Sequence, residues 1–449
     1  MFHRTEKNLI IKAQRISGVT VMKEKASPIN NIWLGMILIS VVVAAYTGNM
    51  EELTKSSFDS AKSAVTLALG LIGAMALWLG LMKILEAAGA LNFISKLIYP
   101  VMKRLFPNIP EGHPALSAMI MNISANMLGL GNAATPIGIK AMKELDEINP
   151  KKGTATDSMV LFLAINTSSV TILPLGVITV RAVAGASAPA SIIIPAILAT
   201  VFSTTVAIIA SKFFSDRSNV ENVKTFKAEE AGEGAGEQKE RSSFFKLTVF
   251  LIFSALIISS IAINFANAEI ITFDSFFKAF SNWLIPLLIA FFLLAGYMKN
   301  VKVYEVLTEG AKEGFNTTVR IIPFMVAIFV AIGMFRSSGA LELFTSVLRP
   351  FTDLVGMPAD VLPLAIIRPL SGSGSFGIMS EIVANDPNSF SSYLASIMQG
   401  STETTFYVIA VYFGAVGVIR TRHVIKAALL ADLAGIVASV VLARIFFGL

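Results

Sequence analysis

Two regions of this chain place polar side chains inside apolar sequence, and their residue types suit hydrogen bonding rather than bond-breaking chemistry. The first is Met121-Asn-Ile-Ser-Ala-Asn-Met-Leu-Gly-Leu-Gly-Asn-Ala-Ala-Thr-Pro136, which supplies Asn122, Ser124, Asn126, Asn132 and Thr135. It is followed by Asn166, Thr167, Ser168, Ser169 and Thr171, ahead of Pro174. Side-chain amides are expensive in hydrocarbon unless hydrogen-bonded, and Gly129, Gly131 and Pro136 interrupt helical bonding, so this is no ordinary lipid-facing helix. The second region is Arg368-Pro-Leu-Ser-Gly-Ser-Gly-Ser375, with Arg368, Ser371, Ser373 and Ser375. It is followed by Gln399-Gly-Ser-Thr-Glu-Thr404, with Gln399, Ser401, Thr402, Glu403 and Thr404. Hydroxyls, amides and carbonyls freed at helix breaks can bind a small polar solute or a Na⁺-like ion. The same groups can instead hydrogen-bond one helix to another.

Two charges stand among them. Glu403 lies between apolar Tyr393–Met398 and Phe406–Val411. At membrane depth a carboxyl must be paired or protonated, which makes Glu403 a candidate coupling group for Na⁺ or H⁺. Arg368 is its candidate partner, either as a substrate counter-charge or as half of a structural ion pair. Asp157, Arg181, Arg320, Arg336 and Asp432 fall near predicted ends and read as interfacial.

Other chemistries find no support in the sequence. Cysteine is absent, and His3, His113 and His423 are far apart, so neither a thiolate nor a histidine metal centre is expected. Gly372-Ser-Gly-Ser-Phe-Gly377 matches a dinucleotide fingerprint by letter, but the βαβ context that gives that motif its meaning is missing. No phosphate-binding GxxxxGK[ST], HExxH or GxSxG sequence occurs. The expectation is a non-enzyme without cofactor or catalytic residue.

The elements that must position these groups follow from composition. Of 449 residues 54% are hydrophobic and 15% charged, against about 25% charged in soluble domains. The mean hydropathy is +0.71. The predicted fold class is all-α: a polytopic transmembrane helical bundle with broken or re-entrant helices, about nine to eleven membrane segments and a lipid bilayer as solvent. The net charge of +6 reads as topogenic charge in cytoplasmic loops rather than a nucleic-acid surface. The many small residues permit helices to meet across chains as well as within one, and a homo-oligomer is expected.

Along the chain, residues 1–28 form a basic cytoplasmic leader without a cleavable signal pattern, and Met22 is an alternative start. A first span over 29–47 precedes an interfacial helix at 51–63 and a second span at 64–85. An amphipathic interfacial helix at 91–106 leads to the polar stretch 115–130, a helix at 135–145 and an apolar segment at 157–173. A polar break at 181–188 separates this from a clean span at 191–213. Residues 215–243, with the run Gly232-Glu-Gly-Ala-Gly-Glu237, can form no core and read as a flexible cytoplasmic linker. Spans at 244–263 and 283–298 follow, then an amphipathic stretch at 301–314. Next come an apolar segment at 319–335, a mixed helix at 341–354, broken segments at 361–378 and 393–418, and a last span at 424–443.

The two halves repeat. At one constant offset Gly89-Ala-Leu91 falls on Gly339-Ala-Leu341 and Pro100 on Pro350. At a second, shorter offset Asn166, Ser168 and Thr171 fall on Gln399, Ser401 and Thr404. Counting crossings from a cytoplasmic N-terminus starts the first copy outside and the second inside. That is an inverted repeat, an architecture of alternating-access transporters with a mid-membrane site.

At this point the motifs carry a family resemblance. Asn122 to Pro136, with Asn166-Thr-Ser-Ser-Val-Thr-Ile-Leu-Pro174, resembles spore maturation protein A. Arg368 to Ser375, with Gln399-Gly-Ser-Thr-Glu-Thr-Thr-Phe-Tyr407, resembles spore maturation protein B. The resemblance covers nearly all the chain after residue 29. It implies one Gate-like, nucleoside-recognition membrane half over 29–214 and another over 244–449, with 215–243 as the joint. It also implies a multi-pass protein of a bacterial inner or plasma membrane. The expected function is secondary transport of a small polar or nucleoside-like solute. The alternative is a non-transporting structural or accessory membrane protein of spore or envelope maturation.

Overall fold

The structure is a computed structural model that describes residues 28–110, 112–129, 131–215, 244–266 and 273–448. The predicted leader and linker lie outside these apart from Pro28 and Ser215. Helix α1 spans Pro28–Thr47 and α2 spans Met50–Ala87. The charged stretch at 51–63 and the apolar run at 64–85 are thus one 38-residue helix rather than an interfacial helix followed by a span. No glycine or proline separates the two stretches, and Glu51 and Glu52 in the first turn complement the helix dipole, so nothing ends the helix early. At about 57 Å it exceeds the ~30 Å hydrocarbon layer.

After α2, Gly89 turns the chain with φ +84° into the amphipathic α3 (Ala90–Leu105). Helices α4 (Pro114–Met127) and α5 (Gly131–Glu147) form a hairpin-like pair around a break. Helix α6 (Asp157–Thr167) stops at Ser168, and the chain resumes as α7 (Leu175–Val183). Sequence alone leaves α7 unassigned, because Arg181 inside it reads as polar loop. A short 3₁₀ turn at Pro189–Ile192 leads into the span α8 (Ile193–Phe213).

Helices α9 (Phe244–Ala266) and α10 (Phe273–Met298) connect the halves. The second half then repeats the plan. Helix α11 (Val303–Ser337) is again one long helix where the sequence predicts two elements, and Pro323 lies within it. Gly339, also at φ +84°, turns the chain into α12 (Ala340–Val355). The pair α13 (Leu362–Ile367) and α14 (Gly372–Asn385) matches α4 and α5. Helices α15 (Phe390–Ser401) and α16 (Thr405–Gly414) match α6 and α7, and α17 (Val424–Phe447) matches α8.

The repeat is inverted, since matched helices pair antiparallel. In α2 and α11, Gly80 abuts Leu307 while Gly314 abuts Met75 and Ala76. In α8 and α17, Ser203 Oγ donates to the Ala431 carbonyl at 2.8 Å and the Ser211 carbonyl meets His423 Nε2 at 3.0 Å. The halves also exchange elements. Tyr412 and Phe413 of α16 are buried with Met119 and Phe162 of the first half, and Ile178 of α7 is buried with Ile378 and Met379 of the second. Among the described residues, α2, α8, α11 and α17 are long and apolar enough to cross a membrane. Shorter apolar helices lie at Asn31–Thr47, Asp157–Thr167, Leu251–Ser260 and Trp283–Met298.

Candidate functional site

Breaks in the helices free backbone groups that membrane burial would penalise, and here the breaks satisfy one another. Within the first half the Ile172 amide donates to the Met127 carbonyl at 3.0 Å. Its counterpart in the second half is the Phe406 amide donating to the Pro369 carbonyl, also at 3.0 Å. Across the halves, the Glu403 amide donates to the Thr167 carbonyl at 3.1 Å. Tight bends make these contacts reachable: Gly129 has φ +74°, and Ser169 takes φ +52°, a left-handed conformation that a serine adopts only where its surroundings enforce it.

Around the four breaks is a cavity of about 570 Å³. From the first half it is lined by Asn126, Gly129, Ser169, Thr171 and the start of α7. From the second half it is lined by Arg368, Gly372, Ser373, Phe376, Gln399, Gly400 and Glu403. One wall is made by α2 and α11, through Trp78, Lys83, Glu86, Glu313 and Thr317. The N-termini of α7 and α14 and the C-termini of α4 and α15 thus open onto one volume, which offers donors to anionic groups and carbonyls to cationic ones.

Several predicted site residues face this cavity. Asn126 donates from Nδ2 to Asn166 Oδ1 at 2.9 Å, which fixes the plane of its amide. Ser169 and Thr171 share a hydroxyl–hydroxyl bond of 2.9 Å. Gln399 presents a buried Oε1 without a hydrogen-bond partner among the described residues, an acceptor in want of a donor. Glu403 is 47% exposed, and its Oε2 lies 3.9 Å from Arg368 Nη2.

Others hold the walls together. Asn122 is buried and donates to the Ala134 carbonyl at 2.8 Å and to the Tyr412 hydroxyl at 3.2 Å. Ser124 bonds Ser95, and Asn166 donates to the Phe162 carbonyl. Ser168 bonds Thr204, while Ser401 bonds Ser439. Ser371 caps α14 by accepting from the Gly374 amide, and Ser375 donates to the Gly372 carbonyl. Thr135 sits half-buried on α5, off the cavity, and the Asn132 side chain lies outside the described ones.

Arg368, only 4% exposed, is a clamp on the α15–α16 break. Nε donates to Thr402 Oγ1 at 3.2 Å, Nη1 to Thr404 Oγ1 at 3.4 Å, and Nη2 to the carbonyls of Gln399 at 3.3 Å and Thr402. Neutral acceptors therefore carry most of its hydrogen bonding. Glu403, at a distance beyond the 2.7–2.9 Å of charge-assisted bonds, is a cavity group more than a structural partner.

Two charges expected at the interface are buried instead. Arg181 is 3% exposed, stands 5.5 Å over the Tyr393 ring and donates to Ser396 Oγ at 3.3 Å. Asp432 is 3% exposed and accepts from Thr405 Oγ1 at 2.7 Å. Arg336, by contrast, stands in the last turn of α11 with a 39% exposed side chain and pairs with buried Glu381 at 2.9 Å, and Asp157 pairs with Arg422 at 2.8 Å at the start of α6.

The sequence reading missed the long-helix wall. Its signal was spacing: Glu313, Thr317 and Ile321 recur at four-residue steps on one face of α11. Away from the cavity, His113, Glu144 and Glu147 bring ligand-type atoms within 4.8 Å of one another. His113 Nδ1 accepts from the Ala115 amide at 3.1 Å, which puts the ring proton on Nε2 and makes that nitrogen a donor rather than a metal ligand.

Comparison with known proteins adds to this geometry. The Gate family, described as nucleoside recognition, matches residues 68–187 and again 318–419, one copy in each half. Spore maturation protein A of Bacillus subtilis (strain 168) is 42% identical over 186 residues, covering 41% of this chain and 95% of that protein. Spore maturation protein B of the same organism is 48% identical over 172 residues, covering 37% of this chain and 97% of that protein. Among solved structures, CNTnw in an inward-facing substrate-bound state aligns over 95% of this chain and 94% of that one, with TM-score 0.40 and 14% identity. A doubly substituted CNTnw in an outward-facing state aligns over the same shares with TM-score 0.42 and 12% identity.

Proposed function

Since the chain belongs to the family of spore maturation proteins A and B, joined here in one polypeptide with a nucleoside-recognition Gate domain in each half, we propose that it is a secondary transporter of a small polar, nucleoside-like solute. The observation that carries this reading is the cavity at the crossing of four helix breaks, lined from both inverted halves. Asn126, Gln399, Ser169, Thr171 and Ser373 supply neutral hydrogen-bonding groups there, while Trp78 and Phe376 offer flat apolar faces to a ring. Inverted halves supply the two related conformations that alternating access needs. The remaining site residues act by holding the breaks in shape. Na⁺ or H⁺ is the coupling ion, the setting is a bacterial inner or plasma membrane with the N-terminus in the cytoplasm, and the protein works as a homo-oligomer.

The names of the two relatives support a second reading, that of an accessory or structural membrane protein in spore or envelope maturation. Proteoliposomes exposed to a metabolite mixture separate the two. Transport predicts accumulation or exchange of a solute, and Asn126→Ala is expected to lower it several-fold without reducing the amount of folded protein. Wild-type protein that folds, moves nothing and co-purifies with a stable membrane partner overturns the transport reading.

A further inference from the structure

Neither the cavity nor a helix end accounts for Asp432. It lies about 12 Å along α17 from Val424, inside an apolar span, and is 3% exposed. Oδ2 accepts from Thr405 Oγ1 at 2.7 Å, whereas Oδ1 has no hydrogen-bond partner among the described residues. One turn on, a Cβ at Gly435 would lie 2.7 Å from Thr402 Cγ2, so α17 presses directly on the α15–α16 break. Asp432 therefore sits behind the same short segment whose front presents Glu403 to the cavity.

The elements around Asp432 offer few charges. From α16 comes the Thr405 hydroxyl. From α8 comes Ser203, occupied with the Ala431 carbonyl, and from α15 comes Ser401, bonded to Ser439 of α17. From the end of α6 comes Thr167, whose hydroxyl donates to the Ala164 carbonyl. Arg368 and Asp432 hold the same short segment, Arg368 through Thr402 and Thr404 and Asp432 through Thr405, and among the described residues Arg368 is the cation whose field reaches Asp432; it also has Glu403 on its cavity side. Two carboxyls thus share one cation. Glu403 is wetted by the cavity, but an ionised Asp432 with a single hydroxyl donor would be poorly stabilised in a dry span.

We propose that Asp432 Oδ1 is an exchangeable proton site, set behind the α15–α16 break and linked to the cavity through Arg368. While Glu403 shares the charge of Arg368, Asp432 keeps its proton. When a solute takes up Glu403, Arg368 stays on its neutral acceptors but its charge is left to Asp432 alone, and the proton passes from Oδ1 to cavity water. Proton and solute then compete, and their movements are opposed in direction. This last consequence rests on the transport reading; the proton site itself does not.

The test is infrared difference spectroscopy of the full chain in nanodiscs across a pH titration, with no solute needed. Wild-type protein should show a protonated-carboxyl C=O band that Asp432→Asn removes and Glu381→Gln retains. Retention of the band in folded Asp432→Asn overturns the site. Should that variant fail to fold, Thr405→Val keeps the carboxyl and removes its one donor. The band must then shift in frequency, and an unmoved band overturns the assignment. Glu403→Gln, which does not touch Asp432, should move the pH at which the band disappears by about one unit or more toward acid. No movement overturns the link through Arg368. Failure of proteoliposome uptake alone would count against transport and leave the infrared result standing.

Discussion

The division of labour between Arg368 and Glu403 makes a quantitative prediction. Replacing Arg368 by Gln strips hydrogen bonds from two hydroxyls and two carbonyls at the α15–α16 break. Buried acceptors left without donors cost about 1–3 kcal/mol each, of which the Gln amide recovers a part. Four such acceptors, less what the Gln amide recovers, put the expected net loss at about 3 kcal/mol or more. Replacing Glu403 by Gln removes a half-exposed carboxylate that lies 3.9 Å from Arg368 and accepts from the Thr404 amide at 3.4 Å, a bond the Gln carbonyl can keep. Pairs of that kind are worth about 1 kcal/mol or less. The double substitution should therefore resemble Arg368→Gln alone. Unfolding of the purified protein in one detergent, followed by tryptophan fluorescence with Trp78 in the cavity wall as an internal reporter, ranks all four proteins. If Glu403→Gln loses as much stability as Arg368→Gln, and the double substitution restores most of it, the two form a buried structural pair and the reasoning fails.

Further outcomes follow from packing and topology. A Cβ at Gly314 would stand 2.6 Å from Ala76 Cα and the Met75 carbonyl, so Gly314→Leu must spread α2 and α11. It should cost about 3 kcal/mol or more, while Gly73→Leu, with nothing within 4 Å of its Cβ position, serves as control. Equal unfolding midpoints for the two would contradict the close approach. Arg181 is buried with one neutral hydrogen bond and an aromatic ring, and its Nε has no hydrogen-bond partner among the described residues. Arg181→Met should be neutral within about 1 kcal/mol, since apolar replacement of poorly paired buried charge is often harmless; a loss near that of Arg368→Gln would show an essential role. In this cysteine-free chain, a Cys at Gly234 should react with a membrane-impermeant thiol reagent only from the cytoplasmic side. Labelling from outside reverses the topology.

Much of this protein is written in one dimension. Composition determines a helical membrane protein, because runs of about 20 apolar residues have no other stable form in a bilayer. Paired landmarks such as Gly89 and Gly339 disclose the duplication, and both adopt φ +84°. Glycines and prolines set among amides and hydroxyls mark the breaks, since those residues weaken helices and polar groups in lipid demand partners. Spacing along the chain could not say which polar groups face the cavity. Asn126 lines it and Asn122, one turn earlier, is spent on Tyr412 from the other half. Nor could it give the fate of the charges. Arg181 and Asp432 read as interfacial by their distance from predicted ends, but exchange of α7 and α16 between the halves and the press of α17 on Thr402 bury them. Local sequence decides where a helix can form or fail. Which groups meet at the failures is settled by contacts between residues more than 200 positions apart, and only the folded chain brings those together.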